Sequence, residues 1–338
     1  MAQINLAHSC LYRHRPWWLI ALSSILTPLS VLGQSLSPTL RLDSQFKAHN
    51  LSGESLIVVH SSTRSNLFVT AASDGLLKLW RAPGVLVQQF SEPTLAMLFN
   101  ARMSSDDRSF LTAAYNGLAS SWKLGRSDAS HHYGPSLSGV TDVEILPAND
   151  GVVTSSDDGS IRFWSANGQL SQRVERPGVT RHLAQAPQRG LIASTQDIGT
   201  VTLFSRSGQL LQVFPTLQGR LNDVVFSPDE KQLITGGFDG TIKIWNLVTD
   251  TSPPQLRLTI SAVPGAGWVE GLAMNRDGLL ASASDDGVLR LWSPVGRMLA
   301  SIKLSDEHLF SVSFDPSGRR LLAAAQDGTV SVLRIDYP

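Results

Sequence analysis

The stretch LITGGFDGTIKIW, at positions 233–245, constrains the fold more than any other part of the chain, because close copies of it recur along most of the sequence. It reads as a strand, a tight turn and a second strand. Small residues lead into Asp239-Gly240, and positions 241–245 then alternate Thr, Ile, Lys, Ile, Trp, which suits a half-buried strand. A two-residue Asp-Gly link needs positive φ, which Gly adopts without a Cβ penalty and Asp tolerates better than most residues. The same pattern runs SDGLLKLW to Trp80, Asn116-Gly117 to Trp122, DDGSIRFW to Trp164, Ile198-Gly199 to Phe204, DDGVLRLW to Trp292 and Gln326-Asp327-Gly328 to Leu333. Seven copies result, with the Gly always five residues before the aromatic or its substitute, and successive glycines 42, 42, 40, 41, 47 and 41 apart.

A repeat of this length, built of short strands with a Trp near its end, fits a β-propeller blade. On the motifs FSPDEKQLITGGFDGTIKIWN (226–246) and LLASASDDGVLRLW (279–292) the chain resembles the WD-repeat family over roughly residues 37–338. The resemblance implies an all-β fold, a seven-bladed propeller of four-stranded antiparallel blades.

Composition narrows the function classes. Lys+Arg and Asp+Glu are equal at 28 each, so no basic field argues for a nucleic-acid partner. A charged fraction of 17% suits a compact folded chain. Cys10 is the one cysteine, which excludes a disulfide framework or a multi-cysteine metal site within the chain.

The N-terminal residues read as an export signal. Arg13, His14 and Arg15 precede the apolar run WWLIALSSILTPLSVL at 17–32, and Val31-Leu32-Gly33 offers a cleavage position after Gly33. Residues 1–33 are therefore expected to be a signal peptide and 34–338 the propeller. The run is shorter than the ~20 apolar residues of a spanning helix and holds Pro28, so a retained membrane anchor is the alternative. Cys10 lies before the apolar run, not at its end, which excludes a lipoprotein cysteine, and Arg13 and Arg15 are not adjacent as twin-arginine export requires. Cleavage would leave 26 basic against 28 acidic residues and no thiol.

The last copy has no room for an outermost strand after position 335, while the alternating segment at 39–46 precedes the first copy with no blade of its own. The expectation is that it closes the ring on the edge of copy seven, which removes an open edge. Outer strands are expected at 208–214 and 296–302, a surface loop at 250–254 and an irregular connection at 125–134.

In the WD-repeat pattern a histidine before the first strand bonds the turn Asp and a strand Ser or Thr, beside the Trp. The turn acid stands here as Asp74, Asp158, Asp239, Asp286 and Asp327, whereas the histidine survives only at His49 before copy one. Copies two and four depart at the turn, with Asn116 and Ile198, departures that bear on the stiffness of individual blades and not on their existence. Trp80, Trp122, Trp164, Trp245 and Trp292, with Phe204 and Leu333 in the same phase, are assigned to packing between blades rather than to binding.

No enzyme signature is present: no Gly-x-Ser-x-Gly elbow, His-Glu-x-x-His, phosphate-binding glycine loop or dinucleotide fingerprint. His131 and His132 are adjacent and would face opposite sides of a strand, and Asp157-Asp158 and Asp285-Asp286 sit on the repeating turn without the alternating carboxylates of a calcium loop. No catalytic residue, metal or cofactor is expected.

Two positions per copy are implied by the resemblance to face one rim of the channel. The residue before the turn acid gives Ser73, Tyr115, Asp157, Phe238, Asp285 and Gln326; residues opening the first strand give Arg181, Arg220, Asn222, Trp268, Glu270 and His308. Tyr115, Asp157, Arg181, Arg220, Phe238, Trp268, Asp285 and His308 form the expected partner-binding rim, with Phe238 and Trp268 foremost because aromatics and Arg dominate binding hot spots. The resulting expectation is an exported, periplasmic or extracellular, monomeric propeller that scaffolds a protein or peptide partner. The alternative is a propeller enzyme or small-ligand or metal binder at the channel mouth.

Overall fold

In the computed structural model the described residues form twenty-eight short strands, assembled as seven four-stranded antiparallel sheets. The structure describes residues 37–51, 57–91, 96–147, 150–261 and 267–337. The expected signal segment, its cleavage position after Gly33 and Cys10 lie outside the described residues. Six blades take four consecutive strands each, from Ile57–Ser61 in blade 1 to Met298–Lys303 in blade 6.

Blade 7 is completed from the other end of the sequence. Thr39–Lys47 pairs antiparallel with Thr329–Asp336, in register from Thr39 opposite Asp336 to Lys47 opposite Thr329 with one slip between Leu42 and Ser44. Phe46 then reaches blade 1, its ring 4.9 Å from Trp80 and 6.4 Å from Phe68, and Ser44 Oγ donates to the Pro83 carbonyl at 2.8 Å. The closing strand thus joins the first and last blades, as the orphan segment implied.

The hairpin turns behave as their chemistry requires. Asp74, Asp158, Asp239, Asp286 and Asp327 each accept the backbone N–H two residues on, at 2.9 to 3.1 Å, and Asn116 does the same for Leu118. This side-chain bond replaces a turn of backbone and fixes the approach to the next strand. Gly159 at φ 78° has no room for a side chain, since a Cβ would sit 2.4 Å from the Arg176 carbonyl.

Behind each turn the conserved phase of the repeat is buried. The indole Nε1 of Trp80, Trp122, Trp164, Trp245 and Trp292 donates to Thr70, Thr112, Thr154, Thr235 and Ser282 in turn, at 2.9 to 3.1 Å. In blade 1 His49 bonds the same Thr70 hydroxyl at 2.7 Å and Asp74 at 2.9 Å. Blades 3 to 6, which lack the histidine, place other side chains in this network. Thr235 donates to Gln218 Oε1 at 2.6 Å, Gln196 donates to Ser194 at 2.8 Å in the blade whose Trp is Phe204, and Arg162 and Arg290 pair with Asp158 and Asp286. A buried hydroxyl needs a partner, and a longer side chain from the adjoining loop or strand supplies it.

The outer strands are Leu210–Pro215 and Met298–Lys303, beginning two residues later than the sequence suggested because Gly208 and Gly296, at φ 87° and 79°, belong to the preceding turns. The irregular connection at 125–134 contains the short outer strand of blade 2, His131–Tyr133. His132 is exposed and shares a hydrogen bond with Ser120 at 2.9 Å, while His131 packs on Tyr133 with ring centres 4.8 Å apart.

Candidate functional site

The inner strands surround a central channel of about 740 Å3. Six of them slip register after their first residue, which leaves the next ladder position to a side chain rather than to a backbone partner. Polar residues just past the slip use that freedom. Asp142 Oδ1 accepts the Val143 N–H at 2.7 Å while Oδ2 accepts Leu183 N–H of the next blade at 2.9 Å, and Asp223 does the same with Val224 and Leu272, both at 2.7 Å. Ser311 joins blade 7 to blade 1 by accepting the Val59 N–H at 3.2 Å. Between blades 6 and 7 Gly271 serves by absence, because a Cβ there would meet the Phe310 carbonyl at 2.9 Å.

One level along the channel, Arg102 bridges blades 2 and 3. It reaches Asn100 Oδ1 at 2.8 Å, Glu144 at 3.1 Å and Asp142 at 3.3 Å. His182 stands 3.5 Å from Asp142 and 3.6 Å from Asp223. Burial opposes the Asp142 charge, but Arg102, His182 and the Leu183 N–H outweigh it and hold the carboxyl below its ordinary value. Burial likewise opposes charge on His182, and Asp223 and Asp142 reverse that and raise it. Glu144 is pushed up to about 7 by burial against the pull of Arg102, and His60 is pushed down to about 3 by burial with Arg102 adding to it. The sequence reading missed Arg102, Asp142, Glu144, His182 and Asp223 as a group. They become visible only when LFNARM, VTDVEI, TRHLAQ and LNDVVF are aligned on their third residue, which is Asn100, Asp142, His182 and Asp223. Among the described residues no group of three or more His, Cys, Asp or Glu is placed to hold a metal ion.

Backbone bonds join three pairs from the two expected rows, Phe238 with Arg220, Asp285 with Trp268 and Gln326 with His308, and tie two further members of the first row to other residues. Tyr115 N–H donates to Met97, Asp157 to Gly139, Phe238 to Arg220, Asp285 to Trp268 and Gln326 to His308, at 2.8 to 3.1 Å. Each of these five residues is therefore held beside the residue that opens, or leads into, the inner strand of its own blade. Asn222 is the exception in aim, being buried with its amide donating to the Val269 carbonyl at 3.1 Å.

Phe238 and Trp268, on adjacent blades, stack with ring centres 4.2 Å apart and planes 3° from parallel. The Arg220 guanidinium lies 4.7 Å from the Phe238 ring centre, and His308 meets the other side of Trp268 edge-on at 6.3 Å. Trp268 nevertheless keeps 39% of its surface exposed. Tyr115 is 60% exposed and edge-on to Phe99, and Leu217, in the loop between Leu210–Pro215 and Leu221–Phe226, is 83% exposed. Phe238, Trp268, Arg220 and His308 thus form one cluster that is partly open to solvent, an arrangement suited to recognition by contact.

Glu270 sits below this patch. Burial pushes its carboxyl up to about 7 against the pull of Arg220, from an ordinary value of 4.5. The folded protein then holds a proton that the unfolded chain has lost, so this group's contribution is fullest below about pH 4.5 and falls as pH rises to 7. Glu270→Gln removes that slope. Its stability relative to wild type is expected to gain about 1–2 kcal/mol between pH 5 and pH 8, by urea unfolding, after allowance for partial exposure. An unchanged difference would mean that the carboxyl ionises normally.

Comparison with known proteins follows the same geometry. The WD domain, G-beta repeat family matches residues 128–165, 208–246, 258–293 and 296–332, which contain the Trp-bearing hairpins of blades 3, 5 and 6 and much of blade 7. An uncharacterized WD repeat-containing protein of Synechocystis sp. is 43% identical over 290 residues, covering 86% of this chain and 85% of its own length. The chain belongs to the WD-repeat family. A second Synechocystis WD repeat-containing protein is 34% identical over 164 residues, 48% of this chain and 49% of that one. Telomerase protein component 1 of Rattus norvegicus is 25% identical over 288 residues, 77% of this chain but 11% of that protein. WD-repeat propellers generally serve as protein-interaction scaffolds, and blades 1, 2 and 4, which lie wholly or mostly outside the matched residues, keep the same sheet order as the matched ones.

Proposed function

We propose that this WD-repeat propeller is an exported, non-enzymatic scaffold that binds another protein or peptide on the rim formed by Phe238, Trp268 and their neighbours. The stacked Phe238–Trp268 pair, flanked by Arg220 and His308 and still open to solvent, carries this reading. Large aromatics with low conformational entropy beside an arginine are the side chains that most often supply binding energy. Export is supported by the basic, then apolar, then small-residue order of positions 13–33, and sequencing the mature N-terminus tests it, with Gln34 expected as the first residue.

A small-ligand or catalytic channel is the second reading, favoured by the two carboxyls held near 7, Glu144 and Glu270. Against it, Asp142 and Asp223 are engaged by backbone N–H groups of neighbouring blades, and Glu144 by Arg102 and Gln185. The network braces the ring and leaves few groups free for chemistry.

The test is affinity capture from the native cell fraction with wild type and with Phe238→Ala/Trp268→Ala, after unfolding curves show the variant within about 2 kcal/mol of wild type. A protein that co-purifies with wild type is expected to drop by about tenfold or more with the variant. Equal recovery would refute the rim assignment.

A further inference from the structure

Beside the aromatic stack, the two rim arginines of blades 4 and 5 have no counterpart. Arg181 and Arg220 both line the channel mouth, and each has a buried Nε that meets no hydrogen-bond partner. Among the described residues neither guanidinium has a carboxylate oxygen within 4 Å, whereas Arg102, Arg162, Arg189 and Arg290 all do. Arg176, on the loop leading into blade 4, has an unpartnered Nε as well. A buried donor left unpaired costs free energy that a complementary acceptor recovers, and arginine forks match carboxylates in particular.

Local acids do not fill this role. Asp197 is turned to the Val179 N–H at 2.8 Å. Asp157 and Glu270 act on the pair only at longer range; burial raises both carboxyls, and Glu270, pushed up to about 7, carries a weakened negative charge near neutral pH. Arg220 is itself lowered by burial and by repulsion from Arg181, so the two positive charges stand close enough to work against each other. An incoming anion between them relieves both effects.

We infer that the rim selects an acidic partner segment, one whose Asp or Glu carboxylate enters the mouth between Arg181 and Arg220 while an adjacent apolar side chain lies on Phe238 and Trp268. This rests on the protein-binding reading above and adds the chemistry of the bound segment. Orientation follows from the layout, since Arg220 touches both halves of the site, stacked on Phe238 on one side and facing the channel on the other.

The test uses the full chain and fluorescein-labelled, end-blocked hexapeptide pools with fixed apolar positions and a central Glu, Gln, Lys or phosphoserine, read by fluorescence anisotropy. Wild type is expected to bind the Glu pool about tenfold or more tightly than the Gln pool, with the Lys pool weakest. Arg181→Gln/Arg220→Gln should bind the Glu and Gln pools alike, and Phe238→Ala/Trp268→Ala should weaken both pools. In parallel, the Nε–H resonances of Arg181 and Arg220 should move on titration with sodium acetate and stay still with sodium chloride. Equal Glu and Gln binding by wild type, a preference for Lys or phosphoserine, or Nε–H signals indifferent to acetate overturns the carboxylate assignment and leaves the rim reading in place. Peptide binding that survives loss of Phe238 and Trp268, or no binding of any pool, overturns the rim reading itself.

Discussion

Deleting residues 37–46 is expected to lower the melting temperature by about 10 °C and to make the protein self-associate. The segment supplies nearly all of the outermost strand of blade 7, paired along its length with Thr329–Asp336. Ladder hydrogen bonds contribute about 1 kcal/mol each, and Phe46 packed on Trp80 and Phe68 adds about 2–3 kcal/mol, so a loss of about 5 kcal/mol or more follows. In a domain this size each kcal/mol corresponds to about 2 °C. Association follows separately, because the deletion bares the edge of a long strand whose unpaired N–H and C=O groups template another chain. Calorimetry and sedimentation check the two effects. An unchanged melting temperature would mean that the ring does not depend on this closure.

Arg102→Ala is the second large effect, expected to cost about 3–5 kcal/mol in denaturant unfolding. Asp142 has no exposed side-chain surface and depends on Arg102 as well as on two backbone N–H groups to stay charged. Removing the guanidinium leaves that charge and the Glu144 carboxyl facing each other in the channel. Asp142→Asn in the same chain should recover part of the loss, because the buried charge goes while an amide oxygen still accepts the Leu183 N–H. A cost below about 1 kcal/mol for Arg102→Ala would show that the network is a solvated set of charges and not a brace between blades.

Both effects bear on what a sequence of this kind discloses. The blades are legible because one short hairpin, with its Asx turn and its Trp, repeats in phase, and blade closure is legible because the strand at 39–47 has no sheet of its own. The candidate rim positions are named from the same phase. What phase does not reveal is who touches whom across blades: Phe238 meets Trp268 because the hairpin turn of blade 5 abuts the strand opening of blade 6, a relation between residues 30 positions apart. The channel network hides behind the register slips, which shift the inward positions by one residue and so break the alternation a strand is recognised by. The substitution in the turn network is hidden for another reason: Gln218 takes the histidine's hydrogen bond to the strand threonine from a nearby loop position, with a different side chain.

The rim is most directly tested by replacing Leu217, an exposed residue three positions before Arg220 in the loop that leads into blade 5, with photo-reactive benzoylphenylalanine and irradiating the protein in its native cell fraction. Leu86, exposed on the outer strand of blade 1, serves as the control position. The expected result is a discrete crosslinked protein from position 217, absent from position 86 and lost when Phe238→Ala/Trp268→Ala is added. The same crosslinks from both positions, or crosslinks at 217 that persist in the rim variant, would contradict a partner-binding role for this face.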